Sequence, residues 1–467
     1  MRQNNADAAS AILQPLLAGE AVDSQSLAMA ARANMAAGDY DAATELLKRR
    51  VDQEPTNSAL QLDLAAAYLA AGDVAAAEAI LAAGTDTTEA DAYRRDMLGV
   101  MSRVRADDFE AAIAAARAMI ADHPDDARLR NMLGGIYLAM DNDDAARAEF
   151  DAALAIEAGN RTALLNLGRM AASQGDYDAA RGRFSTVLDA APDDAGAMIA
   201  LGMVEAADGN RERSIEWLEK ARAAAADNAM ARTMLARQYL ATEDFENAEA
   251  VATEAVTIAP QSAQAHAVLG AALEGQGDER GALESYRRAT ELDPDNTAYS
   301  LSYARAQLRA GQQSEAASTL ERVESRGEPD LRASLQIAAM TASAGDVDRA
   351  IRMGEELMQQ FPDSEMPHVL LGEIHFRNGN ATEGAAQFER ALDKRMSARI
   401  AGRAFTLRRA NNVDPAERPL ERFLEQNPDN ETARLALAQH YQTSGNDEGR
   451  PRNTRRCCAK TPTTSRH

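Results

Sequence analysis

The residues that could do chemistry here are histidines, cysteines, glycines and arginines, and spacing decides what each can do. His368 and His375 lie seven residues apart, so a helix would carry both imidazoles on one face, as a metal pair requires. No HExxH, third ligand or carboxylate placed to orient the rings accompanies them, and the expected role of both is packing. Cys457 and Cys458 are adjacent, which offers neither a disulfide framework nor a CxxC spacing. Gly275 and Gly277 lack both the third glycine of a dinucleotide loop and a preceding strand. There is no GxSxG, no P-loop and no nucleophile beside a base, and the carboxylates are dispersed rather than convergent. The expectation is therefore no catalytic residue, no metal and no cofactor. Arginine is the exception. Arg32, Arg169, Arg237 and Arg305 recur in one register, and a guanidinium row can hold a chain of carboxylates by bidentate, charge-assisted bonds.

The elements that position them repeat along nearly the whole chain. Turn marks fall at Gly38, Gly72, Asp107, Asp141, Gly175, Gly209, Glu243, Gly277, Gly311, Gly345, Gly379, Asn411 and Gly445. Ten of the twelve intervals between them are 34 residues, one is 35 and one is 32, a regularity that only a tandem repeat explains. Each unit reads as two amphipathic helices. In Ala263–Asn296, for example, Leu269 and Leu273 precede the Gly277 turn, and Ala282, Tyr286 and Ala289 follow it. Glycine supplies the positive φ that ends one helix, Asp or Asn caps the next, and a proline such as Pro294 closes the unit. Counting each unit from 14 residues before its turn, position eight is expected to be Gly or Ala (Gly134, Gly168, Gly202, Gly270, Gly372). Position twenty is Ala in ten of twelve units, with Ser214 and Gly384 the exceptions. Small residues at both places let the two helices approach closely.

This pattern resembles the tetratricopeptide repeat, and the resemblance implies a right-handed all-α solenoid of helix-turn-helix repeats. It covers residues 24–430 as about twelve repeats, with a half repeat (second helix only) at 1–23 and another (first helix only) at 431–448. It also implies a concave groove lined by the first helices. Arg32, Arg169, Arg237 and Arg305 would stand at groove position nine, with Arg309, Arg377, Arg408 and Arg409 nearby. One reading makes them a ladder for an anionic extended segment. The other, the expected one, pairs each with an Asp or Glu of the adjoining repeat to hold the superhelix. Asn131 and Asn166 would also face the groove. The Lys–Asn clamp by which chaperone adaptors of this family hold C-terminal carboxylates is not matched. The stretches LNLGRMAASQGDYDAARGRF (165–184), PHVLLGEIHFRNGN (367–380) and RRANNVDPAERPLERFLEQNPDN (408–430) further resemble the tetratricopeptide lipoproteins of bacterial PEP-CTERM/exosortase exopolysaccharide systems. Those relatives are exported and carry more repeats, which implies a periplasmic, lipid-anchored setting and a truncated chain here.

Composition bears on partners. With 50 Lys+Arg against 73 Asp+Glu the net charge is −23, which argues against nucleic acid. Only 4% of residues are aromatic, as suits alanine-lined helix interfaces. No stretch approaches the ~18 apolar residues of a membrane span, and the N-terminus turns acidic by Asp7 without reading as a secretory signal, so the chain reads as soluble. Residues 449–467 form a basic tail with no acid. Read from the third base of the Asn453 codon, the tail can encode YEALLRQDPDNVAA, a second helix with the repeat's own ending. The tail is expected to be this frame-shifted helix, or else a disordered extension. The function expected is a non-catalytic scaffold for a protein or peptide partner. The alternatives are a substrate-presenting arm of a larger enzyme, such as a glycosyltransferase or protease, and a cytoplasmic assembly or regulatory factor.

Overall fold

The computed structural model of the protein describes Ile12 and residues 22–84, 88–325 and 330–444. These contain twenty-five α-helices and no strand, an all-α solenoid of stacked helical hairpins. Chain contacts divide it into two compact bodies, Met1–Pro260 and Gln261–His467. The first holds seven hairpins, from Ser24–Ala37 with Tyr40–Gln53 to Ala229–Ala241 with Phe245–Ile258. The second holds five, from Ala263–Gln276 with Glu279–Leu292 to Ala398–Ala410 with Arg418–Gln426, and then the single helix Glu431–Ser444. Most of the half repeat expected at 1–23, and the tail 449–467, lie outside the described residues.

Turn chemistry explains the hairpins. Gly38, Gly175 and Gly277 adopt φ of 82°, 79° and 83°, and Asp107, Asp141 and Glu243 take the same left-handed place at 55–59°. The next residue caps the second helix: the carboxylates of Asp39 and Asp176 each accept the backbone N–H three residues on, both at 3.1 Å. In the twelfth repeat the left-handed residue is Asn412 (φ 53°), not Asn411, because the first helix starts and ends one residue later than the spacing predicts. The second helix of that repeat is also short, beginning only at Arg418.

Within five of the hairpins the packing is a volume exchange. An added Cβ at Gly134, Gly168, Gly270 or Gly372 would stand 2.4–2.9 Å from the ring of Phe150, Phe184, Tyr286 or Phe388, which is position twenty-four of the same repeat. Gly202 faces Leu218 in the same way, at 2.7 Å. The third repeat departs from the expected small residue: position eight is Val100, and position twenty-four is correspondingly Ala116, both fully buried. In these repeats the partners trade size, as dense packing demands, whereas the seventh repeat pairs Ala236 with Ala252 and the tenth pairs Ala338 with Gly354, whose space Leu371 of the next repeat fills. Position twenty is sealed by alanines such as Ala43, Ala146 and Ala180 at 0% exposure, and Ser214 satisfies its hydroxyl on the Gly202 carbonyl at 2.7 Å.

Between repeats, first helices pack on one another, Arg161–Ser173 on Ala195–Ala207 and the latter on Ala229–Ala241, which puts them along the inner side of the first body. Arginines tie neighbouring repeats together. Arg94 reaches Asp63 at 2.7 Å, Arg222 Nε reaches Glu254 at 3.1 Å and Arg422 reaches Glu389 at 2.8 Å. Arg181 bonds the buried Glu205 at 2.9 Å and holds its carboxyl below the usual range; the Asn210 amide assists.

Candidate functional site

Position nine of the first helices carries the residues to weigh. Arg32 projects from Ser24–Ala37, Arg169 from Arg161–Ser173, Arg237 from Ala229–Ala241 and Arg305 from Thr297–Arg309, and all four are exposed. The helices form because alanine and leucine fill their buried stripes, while an Asp or Asn caps each start: Asn160 for Arg169's helix, Asn228 for Arg237's. That register leaves position nine on the face turned away from the second helices.

The expected pairing of these four with carboxylates is not formed. Among the described residues none of them makes an ion pair, and Arg169 donates only a long bond of 3.4 Å to the Asn166 side chain. Carboxylates outnumber cations in this chain, yet none comes within ion-pair distance of these four among the described residues. The nearby arginines behave differently. Arg309 pairs with Glu274 of the preceding repeat at 2.8 Å, and Arg377 donates to the Ser343 hydroxyl at 3.0 Å. Arg408 is buried, donates to the Pro415 carbonyl at 3.1 Å and lies 3.6 Å from Glu389, with burial lowering its pKa. These hold the stack together.

Asn131 and Asn166 divide in the same way. The Asn131 amide donates to Asn160 Oδ1 at 2.8 Å, and Asn160 in turn accepts from the Ala163 N–H at 3.1 Å, so Asn131 braces the cap of the next repeat. Asn166 is half-buried and faces Arg169. His368 is buried with its Nδ1 2.8 Å from Gln387 Oε1, and His375 is buried against the helix stack, so neither imidazole is turned outward toward a ligand. Among the described residues no three His, Cys, Asp or Glu side chains gather to hold a metal ion.

Sequence reasoning passed over the methionines of the same register. Met203 stands at position nine of the repeat between those of Arg169 and Arg237 and is 49% exposed. Met230 lies two turns before Arg237 on its helix and is 55% exposed. Single exposed apolar side chains are ordinary, but these two stand on the face that carries the arginines, and thioethers adapt to irregular partners. The signal was present in the sequence, since Met203 follows Arg169 by one repeat length. The inner face of the first body thus offers cation, apolar and cation in succession. Helices packed ~9 Å apart place Arg169 and Arg237 roughly 18–20 Å apart at their roots, the reach of about six extended residues.

Tetratricopeptide repeat profiles match residues 34–99, 103–170 and 273–336 in one version and 165–229, 233–297 and 341–399 in another. No curated protein matches the chain significantly. Among solved structures, PilF of Pseudomonas aeruginosa is 20% identical with a TM-score of 0.39, covering 44% of this chain and 94% of its own. MamA of Desulfovibrio magneticus RS-1 is 20% identical with a TM-score of 0.33, over 35% of this chain and 93% of its own. The human IFIT1 dimer with m7Gppp-AAAA is 14% identical with a TM-score of 0.42, over 75% of this chain and 94% of its own.

Proposed function

We propose that this chain, which belongs to the tetratricopeptide repeat family, is a non-catalytic scaffold that holds an acidic, extended segment of a protein partner against the inner face of its first body. One observation carries this reading. The position-nine arginines stay exposed and without ion pairs among the described residues, in one register of the first helices of a chain of net charge −23, while Arg94, Arg222 and Arg422 pair with carboxylates of neighbouring repeats. A guanidinium left without a carboxylate among so many is available for one brought by a partner. Met203 and Met230 would take the apolar residues that lie between the partner's acids.

The test is capture from a lysate of the producing cells on immobilised protein. Arg169→Glu with Arg237→Glu should lose the partner while helicity and melting stay native. Reversal of Arg280, an exposed arginine of a second helix, should retain it. Loss of fold in the double variant would mean that the two arginines are structural, and undiminished capture would remove the reading.

The setting we propose is a bacterial exopolysaccharide or protein-sorting system, in which the chain belongs to an exported, lipid-anchored scaffold. What supports this is the resemblance of residues 165–184, 367–380 and 408–430. No helix among the described residues is long and apolar enough to cross a membrane, so a lipid would supply the anchor. Fractionation of the producing cells tests it: recovery with the envelope supports the setting, and recovery only with cytosolic proteins contradicts it.

A further inference from the structure

One cavity of the second body lies away from those arginines. Helices Met366–Arg377 and Ala398–Ala410, the first helices of the eleventh and twelfth repeats, enclose a cleft of about 710 Å³ beside the shortened repeat. Its floor is apolar: Met366, 42% exposed, with Val369 and Ile400. Its charged rim holds two glutamates and three arginines. Glu373 is matched by Arg403 at 2.7 Å, and Glu365 by Arg395 at 3.4 Å. Arg399 is the surplus cation, exposed and without an ion pair among the described residues.

Gly402 is the second observation. It lies inside a helix, where glycine costs about 1 kcal/mol against alanine. Its backbone φ is not in the left-handed region, and a Cβ built on it would meet no atom within 4 Å. Neither turn geometry nor internal packing therefore accounts for it, in contrast to Gly372, whose missing Cβ makes room for Phe388. Gly402 lines the cleft, so a large side chain in its place would take up part of that space. An apolar floor, an open helical surface and one unmatched guanidinium complement a short segment that brings an aliphatic side chain and a carboxylate together.

We propose that this cleft docks an extended peptide in which an aliphatic residue enters over Met366, Val369 and Ile400 while a neighbouring acidic residue bonds Arg399. Alternate residues of an extended chain face the same way, so an acid one position from the aliphatic residue can turn outward to the rim. The site extends the scaffold reading to a second place and does not rest on the arginines of the first body.

Fluorescence polarisation with a fluorescein-labelled, C-terminally amidated peptide, GELEVEG, tests it on the full chain. The amide removes the terminal carboxylate, so any binding reports the side chains. Native protein should bind with a Kd below about 100 μM, and Gly402→Phe, which fills the cleft, should weaken binding at least about tenfold. Arg399→Glu, at an exposed residue whose change leaves the packing alone, should weaken it by a similar factor and favour GKLKVKG instead. GESESEG, which lacks the aliphatic residues, should fail. The double reversal of Arg169 and Arg237 should leave GELEVEG binding unchanged. The proposal is overturned if native protein does not bind GELEVEG, if Gly402→Phe with native helicity binds as well as native, or if charge makes no difference at Arg399. Loss in the Arg169/Arg237 variant alone would also overturn it, and would leave the first-body site standing.

Discussion

Gly168 and Gly182 lie in the two helices of the fifth repeat, and alanine at each should move stability in opposite directions. At Gly182, exposed in the middle of Tyr177–Ala190, an added Cβ meets nothing within 4 Å, so Gly182→Ala should stabilise by about 0.5–1 kcal/mol through helix propensity alone. At Gly168 the same methyl would stand 2.4 Å from Phe184 Cε1 and 2.7 Å from Cζ, far inside the ~3.5–4.0 Å optimum for carbon contact. Phe184 is 1% exposed and has nowhere to retreat. Overpacking costs about 1–3 kcal/mol, and the propensity gain offsets about 1 of it, so Gly168→Ala should destabilise by up to about 2 kcal/mol. Trimming the ring should recover it, since Ala31 faces Leu47 in the first repeat and Ala304 faces Leu320 in the ninth, all buried. Gly168→Ala with Phe184→Leu is therefore expected to be more stable than the sum of its single changes, with a coupling on the order of 1 kcal/mol. Stacked repeats unfold in parts, so hydrogen exchange of residues 161–190 is the suitable assay, with about tenfold in protection for each 1.4 kcal/mol. If Gly168→Ala and Gly182→Ala both raise protection, the volume exchange between positions eight and twenty-four is not what packs the hairpin.

Three further outcomes follow from the same contacts. Asp176→Ala removes the carboxylate that accepts the Ala179 N–H at 3.1 Å and should cost about 1 kcal/mol, seen as faster exchange at the start of Tyr177–Ala190. Ser214→Ala loses one buried bond to the Gly202 carbonyl but restores the residue found in most repeats, so stability should change by less than about 1 kcal/mol by denaturant titration. Glu205 is held below its ordinary 4.5 first by the Arg181 hydrogen bond, so the unfolded chain binds more protons than the folded one as pH falls. That contribution is complete above 4.5 and is lost as pH drops through the depressed folded value. Arg181→Gln should accordingly lower Tm at neutral pH and flatten its fall below pH 4.5; an acid limb as steep as native would contradict the pairing.

The fold was legible because the turn residue recurs. A left-handed backbone is needed once per hairpin, and Gly38, Gly175 or Gly277 announces it, as do Asp107 and Asp141 in glycine's absence. Why position eight is small was only half legible. Closeness of the helices could be read, whereas the reason, a ring from position twenty-four occupying the space, needs two side chains read together, as Val100 with Ala116 shows. The turn at Asn412 was misplaced by one residue because the shortened repeat offers two adjacent asparagines, and composition does not say which takes positive φ. At the candidate site the register of Arg169 and Arg237 was visible, but their freedom was not. Pairing depends on which carboxylates of the neighbouring repeat lie within reach, so Arg309 finds Glu274 while Arg305, four residues earlier, finds none. Met203 and Met230 were missed because a methionine on an amphipathic helix reads equally well as core. The cleft below Arg399 depends on Gly402 facing open space, and spacing alone does not reveal that.

The central claim is that Arg169 and Arg237 await carboxylates from outside the chain. Its most direct test is fluorescence polarisation of an amidated, fluorescein-labelled peptide, EELSLSLEE, whose paired glutamates lie about six residues apart to match the two guanidiniums. Gly402→Phe protein, with the second-body cleft filled, would be measured beside the same protein also carrying Arg169→Glu and Arg237→Glu. The account predicts binding that weakens with added salt and falls at least about tenfold on charge reversal. Equal affinity in the two proteins, or no binding to either, would contradict it.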